Sequence, residues 1–306
     1  MPELPSPAAT TFSLMTWNIQ WGLGVPGAGG KPKAVDLRAI ADLVHHFMPD
    51  VLCLQEVCRY FPANTGDESD QASQLLSLLP AYEGYFSAAT NYASAEKVGK
   101  PRRQFGNMVL VKGRVLSARE LALPCPHDAT IAKFTDRCAT MVVARIQCDE
   151  HKPLDIGIIN THLEYSGTVQ RTAQVQALAS WARDALAAAP QSRPDFPKAS
   201  AVITALDRPP SPAAWVLAGD FNCAPPSPEL ALLAANGWRD TWQVCYPALP
   251  HPPTLGVHVC LAGYQPQNFD RIYVNAYLAD RTVDCQVVSK TTASDHQPVL
   301  ATFSAT

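Results

Sequence analysis

Short apolar runs alternate with longer segments of helical period along most of this chain, and that alternation restricts it to a mixed α/β fold. FSLMTWN (12–18), VLCLQEV (51–57), FGNMVLVK (105–112), CATMVVARIQ (138–147), LDIGIINT (154–161) and AWVLAGD (214–220) read as strands, as do 269–275, 284–289 and 298–303. Between the first two, Asp36 caps a helix that sets Leu37, Ile40, Val44 and Phe47 on one face, and Pro49 ends it. Asp70 starts a short helix through QASQLLSLL, and a long Ala- and Leu-rich helix spans 168–189. Ser227 and Pro228 read as an N-cap and the first residue of a further helix. Two stretches are excursions: GLGVPGAGGKPK (22–33), expected to be a mobile loop after a strand end, and the proline-rich segment 191–213, expected to be a surface loop. With no internal repeat and no composition break, the expectation is one domain over 1–306, with 1–11 a flexible N-terminus.

The chain of 306 residues, 47% hydrophobic and 17% charged, is ordinary for a soluble globular protein. A net charge of −3 argues against a dedicated duplex-DNA binder, although a carboxylate-rich site lowers the total and leaves room for a local basic patch. No run approaches the roughly 20 apolar residues that cross a bilayer, so no membrane insertion is expected. The N-terminus, MPELPSPAATTF, has neither the basic start nor the apolar run of an export signal. Nine cysteines, an odd number with no C-x-x-C pair, read as buried thiols of a reducing, cytoplasmic setting rather than disulfides or a zinc site. Cys223 follows GDFN directly, but with no basic neighbour in sequence its expected role is packing.

Polar residues recur where the strand-like runs end. Asn18 closes MTWN, Glu56 closes VLCLQE, His162 follows IINT, and Asp220 and Asn222 follow WVLAG. Asp270 opens DRIYV, while Asp295 and His296 precede the last strand. Each alone has an ordinary explanation, because Asp and Asn at strand ends form turns. As a set they place carboxylates, amides and histidines where rigid scaffolds carry reactive groups.

The motifs TWNIQ, LQEV, NTHL, GDFN, FDRIYV and SDHQPV, in this order from Asn18 to His296, resemble the endonuclease/exonuclease/phosphatase superfamily typified by deoxyribonuclease I. The resemblance implies a four-layered α/β/β/α sandwich, two mixed sheets packed face to face with helices outside and an active site at one edge. It implies a phosphoric ester hydrolase in which Glu56 is the principal metal ligand, with Asn18 nearby and Asp295 a further ligand. Oxygen ligands without cysteine select a hard ion, Mg²⁺ or Mn²⁺. By the same resemblance Asp220 orients or deprotonates the attacking water, Asn222 holds that water or a phosphate oxygen, and His296, held by Asp270, bonds the scissile phosphate. His162 contacts the phosphate from the opposite side. Arg137 stands where many members carry a basic residue facing the substrate, and Asn107 matches a supporting position. Arg171, at the start of the long helix, reads equally well as a solvated surface charge.

The substrate is less legible. The histidine of NTHL resembles the deoxyribonuclease-, sphingomyelinase-, deadenylase- and inositol-phosphatase-like branches, whereas the abasic-site repair branch carries a tyrosine-and-asparagine motif there. Residues 91–120 hold seven basic residues, Lys97, Lys100, Arg102, Arg103, Lys112, Arg114 and Arg119, against Glu96 and Glu120. They read either as a phosphate-backbone contact or as an ordinary solvated loop. Tyr82, Tyr85, Phe86 and Tyr92 read as packing or as base-stacking groups. The favoured expectation is a monomeric nuclease acting on a nucleic-acid phosphodiester. The alternative is a small-molecule or lipid phosphoesterase, though no amphipathic membrane-binding segment accompanies it.

Overall fold

The computed structural model describes residues 10–25, 34–62, 66–93, 99–148, 153–187, 212–258 and 265–305. The 191–211 part of the proline-rich segment, residues 26–33 of the glycine-rich loop, Glu96, Lys97 and Cys260 lie outside them. Of the N-terminus expected to be flexible, 1–9 also lie outside, but Thr11 already pairs with Ser304 and the Thr10 carbonyl accepts the Ala305 N–H.

Twelve described strands form two sheets of six. The first is ordered β11 (Thr282–Val287), β12 (Val299–Ser304), β1 (Thr11–Asn18), β2 (Val51–Arg59), β4 (Arg103–Val111), β3 (Glu83–Tyr92). The second is ordered β5 (Gly113–Ala122), β6 (Cys138–Gln147), β7 (Pro153–His162), β8 (Ala214–Asp220), β10 (Asp270–Val274), β9 (Arg239–Asp240). Both are mixed, and each has one parallel pair near its middle, β1 with β2 and β7 with β8. A parallel pair needs a crossover, which α1 (Leu37–Phe47) supplies in the first sheet and α3 (Thr168–Ala187) in the second. Asp36 caps α1 as expected, its carboxylate accepting the Ala39 N–H, and Asp70 does the same for α2 (Gln71–Leu78) through Ser73. Ser227 caps α4 (Pro228–Ala235), with Pro228 in its first turn. The remaining α-helices among the described residues are single turns, α5 (Thr241–Cys245) and α6 (Ala276–Ala279), and a 3-10 turn spans Gln20–Gly22.

Three apolar clusters explain why the strands read as unbroken apolar runs rather than alternating ones: both faces of each sheet are covered. Leu14, Cys53, Val109, Val142, Ile158, Val216 and Ile272 meet between the sheets. Their alternates Met15, Leu52, Leu54 and Leu110 pack outward on Ile40, Val44 and Leu75 of α1 and α2. In the second sheet Met141, Ile159 and Leu217 pack outward on Val175, Leu178, Leu230 and Leu233 of α3 and α4. The arrangement is the expected α/β/β/α sandwich.

Candidate active site

The two parallel pairs bring four of the singled-out residues to one end of the sandwich. Asn18 ends β1, Glu56 lies near the end of β2, His162 ends β7 and Asp220 ends β8, with His162 and Asp220 in direct register. The backbone is bent to aim them. Glu56 has φ +59°, and the β2–β4 register shifts between Leu54 and Val57, so a bulge turns its side chain out of the regular alternation. Positive φ is uncommon for a residue with a Cβ, and here it marks the site. Asn222, at φ +50°, follows the same pattern after β8. Gly219 is obligatory: a Cβ there would overlap the Thr161 carbonyl oxygen of the adjacent strand.

On the first sheet's side, Asn18 Nδ2 donates to Glu56 Oε1 at 3.1 Å and also reaches across to Asp220 Oδ2 at 3.0 Å. Asp295 Oδ2 accepts from Gln20 Nε2 at 2.9 Å. Desolvation pushes the Glu56 carboxyl up to about 7, opposed by the charge of His296 and the Asn18 hydrogen bond, while burial also raises Asp295. Both residues keep some contact with solvent, whereas Asn18, His162, Asp220, Asp270 and His296 are buried.

On the second sheet's side, His296 Nδ1 lies 2.7 Å from Asp270 Oδ2. Thr254 Oγ1 meets the same oxygen at 2.6 Å while accepting the N–H groups of Phe269 and Asp270. With its acceptor positions so used, the hydroxyl proton is committed to Asp270. The Thr254 carbonyl in turn accepts the N–H of Gln297, next to His296, so one threonine ties both members of the dyad together. Trp17 Nε1 holds the His296 carbonyl at 3.0 Å. Burial lowers the proton affinity of His296, but contact with Asp270 and the fields of Asp220 and Asp295 outweigh it and raise the imidazole to about 10. His162 goes the other way: burial, then the positive charge of Arg137, hold it well below the usual histidine value. Asp220 lies between the two rings, its Oδ2 3.5 Å from His162 Nε2 and 3.8 Å from His296 Nε2.

Three residues carry ligand atoms within 4.8 Å of one another, Asp220, Asp270 and His296. In that group His296 Nδ1 is bonded to Asp270 Oδ2 and its charge also faces Asp220, while Asp270 Oδ1 is buried without a hydrogen-bond partner among the described residues. Glu56 and Asp295 have only amides and a hydroxyl as side-chain partners. Desolvation disfavours both carboxylates as anions, which a cation would relieve, so the oxygen-only set of Asn18, Glu56 and Asp295 is the one whose chemistry fits a hard divalent ion.

Arg137 is buried, with Nε 3.7 Å from Glu164 and its charge acting on both Glu56 and His162. Asn107 Nδ2 donates to the Cys138 carbonyl and joins the sheets just behind the site. Arg171 is no solvated charge: it pairs with Glu229 at 3.2 Å and holds the Glu164 and Tyr165 carbonyls. Cys223 is buried and its thiol is pushed up to about 11, in keeping with packing. The basic cluster disperses, Lys112 lying by Asp50 and Arg114 by Glu83 at the far end of the sheets, while Arg103 pairs with Glu68. Tyr82 is buried, its hydroxyl on the Pro49 carbonyl. Gln55, Asn160, Glu164 and Thr254 join the site without having been singled out. Gln55 and Asn160 lie inside LQEV and NTHL, so their signal was present; Thr254, in a proline-rich loop, gave none.

A model of the Endonuclease/Exonuclease/phosphatase family matches residues 15–296, from β1 to the His296 dyad. The chain belongs to the endonuclease/exonuclease/phosphatase family. Members of this family hydrolyse phosphoesters. No curated protein matches the chain at a significant level. Among solved structures, an endonuclease/exonuclease/phosphatase from Beutenbergia cavernae superposes with a TM-score of 0.67 at 20% identity, over 96% of this chain and 72% of that one. TDP2 from Caenorhabditis elegans gives 0.59 at 19% identity, over 96% and 75%. A mannosyl-6-phosphatase from Bacteroides thetaiotaomicron gives 0.60 at 13% identity, over 95% and 98%. At these identities the likeness establishes the shared fold of the endonuclease/exonuclease/phosphatase family. No helix among the described residues is long and apolar enough to cross a membrane.

Proposed function

We propose that this chain is a Mg²⁺- or Mn²⁺-dependent phosphodiesterase whose substrate is nucleic acid. The observation that carries the reading is the division of the site into a cation-deficient carboxylate set (Asn18, Glu56, Asp295) and an internally paired proton-handling set (Asp220, Asp270, His296) within one cluster. The bound ion would neutralise phosphate charge and polarise the ester, held by Glu56, Asn18 and Asp295. His296, kept protonated by Asp270, offers Nε2–H to a non-bridging phosphate oxygen. His162, neutral, donates from the opposite wall. Asp220 receives a proton from the attacking water as the new P–O bond forms and the bond to the leaving oxygen breaks. Asn222 donates one amide N–H to the Leu163 carbonyl and its backbone N–H to Asp220 Oδ1, which leaves its own Oδ1 as an acceptor suited to orienting that water. Arg137 adds positive charge beside the phosphate. The eight described cysteines, all unpaired, support a reducing, cytoplasmic setting, and we expect a monomer.

The test is hydrolysis of bis-p-nitrophenyl phosphate and p-nitrophenyl phosphate with Mg²⁺, Mn²⁺ or EDTA, by the wild type and His296→Ala. Metal-dependent diester cleavage, lowered by on the order of 10²–10³-fold in the variant, is expected. Preference for the monoester would replace this reading with a phosphatase of small molecules.

A further inference from the structure

Three aromatic side chains stand in solvent at the rim of the site. Tyr92 ends β3 and is 56% exposed, Phe134 lies in the β5–β6 loop at 47%, and Tyr165 follows β7 at 55%. Large exposed rings close together point to a binding surface, and hydrogen bonds link the segments that carry these three. The Tyr92 hydroxyl donates to Asp136 at 3.4 Å. Thr135, between Phe134 and Asp136, donates its N–H and its hydroxyl to Oε2 of buried Glu164, at 3.0 and 3.2 Å. Tyr165 follows Glu164 in the chain, and Arg171 holds the carbonyls of both at 3.0 and 2.9 Å. The backbone beneath Phe134 and Tyr165 is therefore fixed before any ligand arrives, which lowers the ordering cost of binding.

The platform starts where the chemistry stops. Arg137, next to Asp136, lies against Glu164 and acts on both Glu56 and His162. The outer border is cationic. Lys100 and Arg102 sit on the β3–β4 connection and Lys133 beside Phe134, all exposed. Arg102 spends its hydrogen bonds on the neutral oxygens of Asn91, so its charge stays available. Among the described residues, Val169, at the start of α3, is the only exposed aliphatic residue of comparable size close in sequence to Tyr165. A lipid surface calls for more aliphatic contact than that, whereas flat rings bordered by cations suit a flexible polyanion carrying flat bases.

We infer that Tyr92, Phe134 and Tyr165 form a stacking subsite for the unpaired bases of a single-stranded nucleic acid, with Lys100, Arg102 and Lys133 along its phosphates. Bases within a duplex present only edges, so the surface favours a single strand over paired DNA. The inference rests on the proposed nuclease reading for the position of the scissile phosphate, but strand binding can be measured without cleavage.

The experiment is fluorescence anisotropy of a fluorescein-labelled twelve-residue oligothymidylate in EDTA. Beside it run the same strand annealed to oligodeoxyadenylate and a twelve-unit abasic strand carrying the same phosphates. Tyr92→Ala, Phe134→Ala and Tyr165→Ala are each expected to weaken the oligothymidylate by about 5- to 150-fold, the range for losing one base–aromatic stack. They should leave the abasic strand unchanged, and Tyr165→Phe, which keeps the ring, should bind like the wild type. Equal binding of the base-bearing and abasic strands, unaltered binding by the alanine variants, or no binding by the wild type would each overturn the inference. Ring-dependent binding without cleavage on adding Mg²⁺ or Mn²⁺ would sink the nuclease reading and leave the subsite standing. Cleavage untouched by the ring substitutions would do the reverse.

Discussion

The two sides of the site solve the problem of buried charge differently. Around Asp270 and Asp220 the protein supplies one counter-charge of its own: His296 sits on Asp270, Thr254 buttresses that contact, and neutral His162 lies on the far side of Asp220. Around Glu56 and Asp295 the side-chain partners are neutral amides and one serine hydroxyl. One side is paired within the fold, and the other is hydrogen-bonded only to neutral groups. In the mechanism we propose, the first handles protons and the second takes the cation. Losing a carboxylate should therefore lower activity on either side but shift stability in opposite directions.

The largest effect is expected from Glu56→Gln. Turnover should fall by on the order of 10³-fold or more as the ion is lost, yet the metal-free protein should melt at a higher temperature than wild type, because a carboxylate whose charge desolvation disfavours has been replaced by a neutral amide. A lower melting temperature in EDTA would break the comparison. Asp270→Asn should cut turnover by about 10²-fold while the fold survives, and it should lower stability by about 1–3 kcal/mol, since a hydrogen-bonded buried partner is lost. Calorimetry alongside steady-state rates separates the two variants by the sign of the melting shift. Thr254→Val should be the mildest, about tenfold in kcat with KM little changed, because it touches Asp270 and never the substrate. A rise confined to KM would remove Thr254 from the dyad.

Much of the architecture was readable because burial on both faces leaves continuous apolar runs, and each run ends abruptly in a polar residue where the chain leaves the core. β3 and β5 escaped notice for the opposite reason. They lie at the edges of their sheets, half-exposed, and GRVLSARELA carries good helix formers that only pairing with β6 holds in a strand. The residues that the fold gathers into the candidate site were legible as strand ends. Tyr92 was read as packing or base stacking, but Thr254, Phe134 and Tyr165 were not singled out, because a loop residue gains its role from what folds against it, 16 residues away for Thr254.

The end of the sandwich that carries the site is stitched across by amides. Gln55 Nε2 reaches Asn160 at 2.8 Å, Asn160 bonds the Leu54 and Met108 carbonyls, Asn107 bonds that of Cys138, and Asn18 spans to Asp220. Apolar contacts elsewhere in the interface are non-directional. Hydrogen bonds are directional, so this end of the molecule fixes which residues of the two sheets face each other. A chain whose sheets had slipped by one residue would keep its helices and its oily middle, but it would no longer hold Glu56 and Asp220 within reach of the same amide.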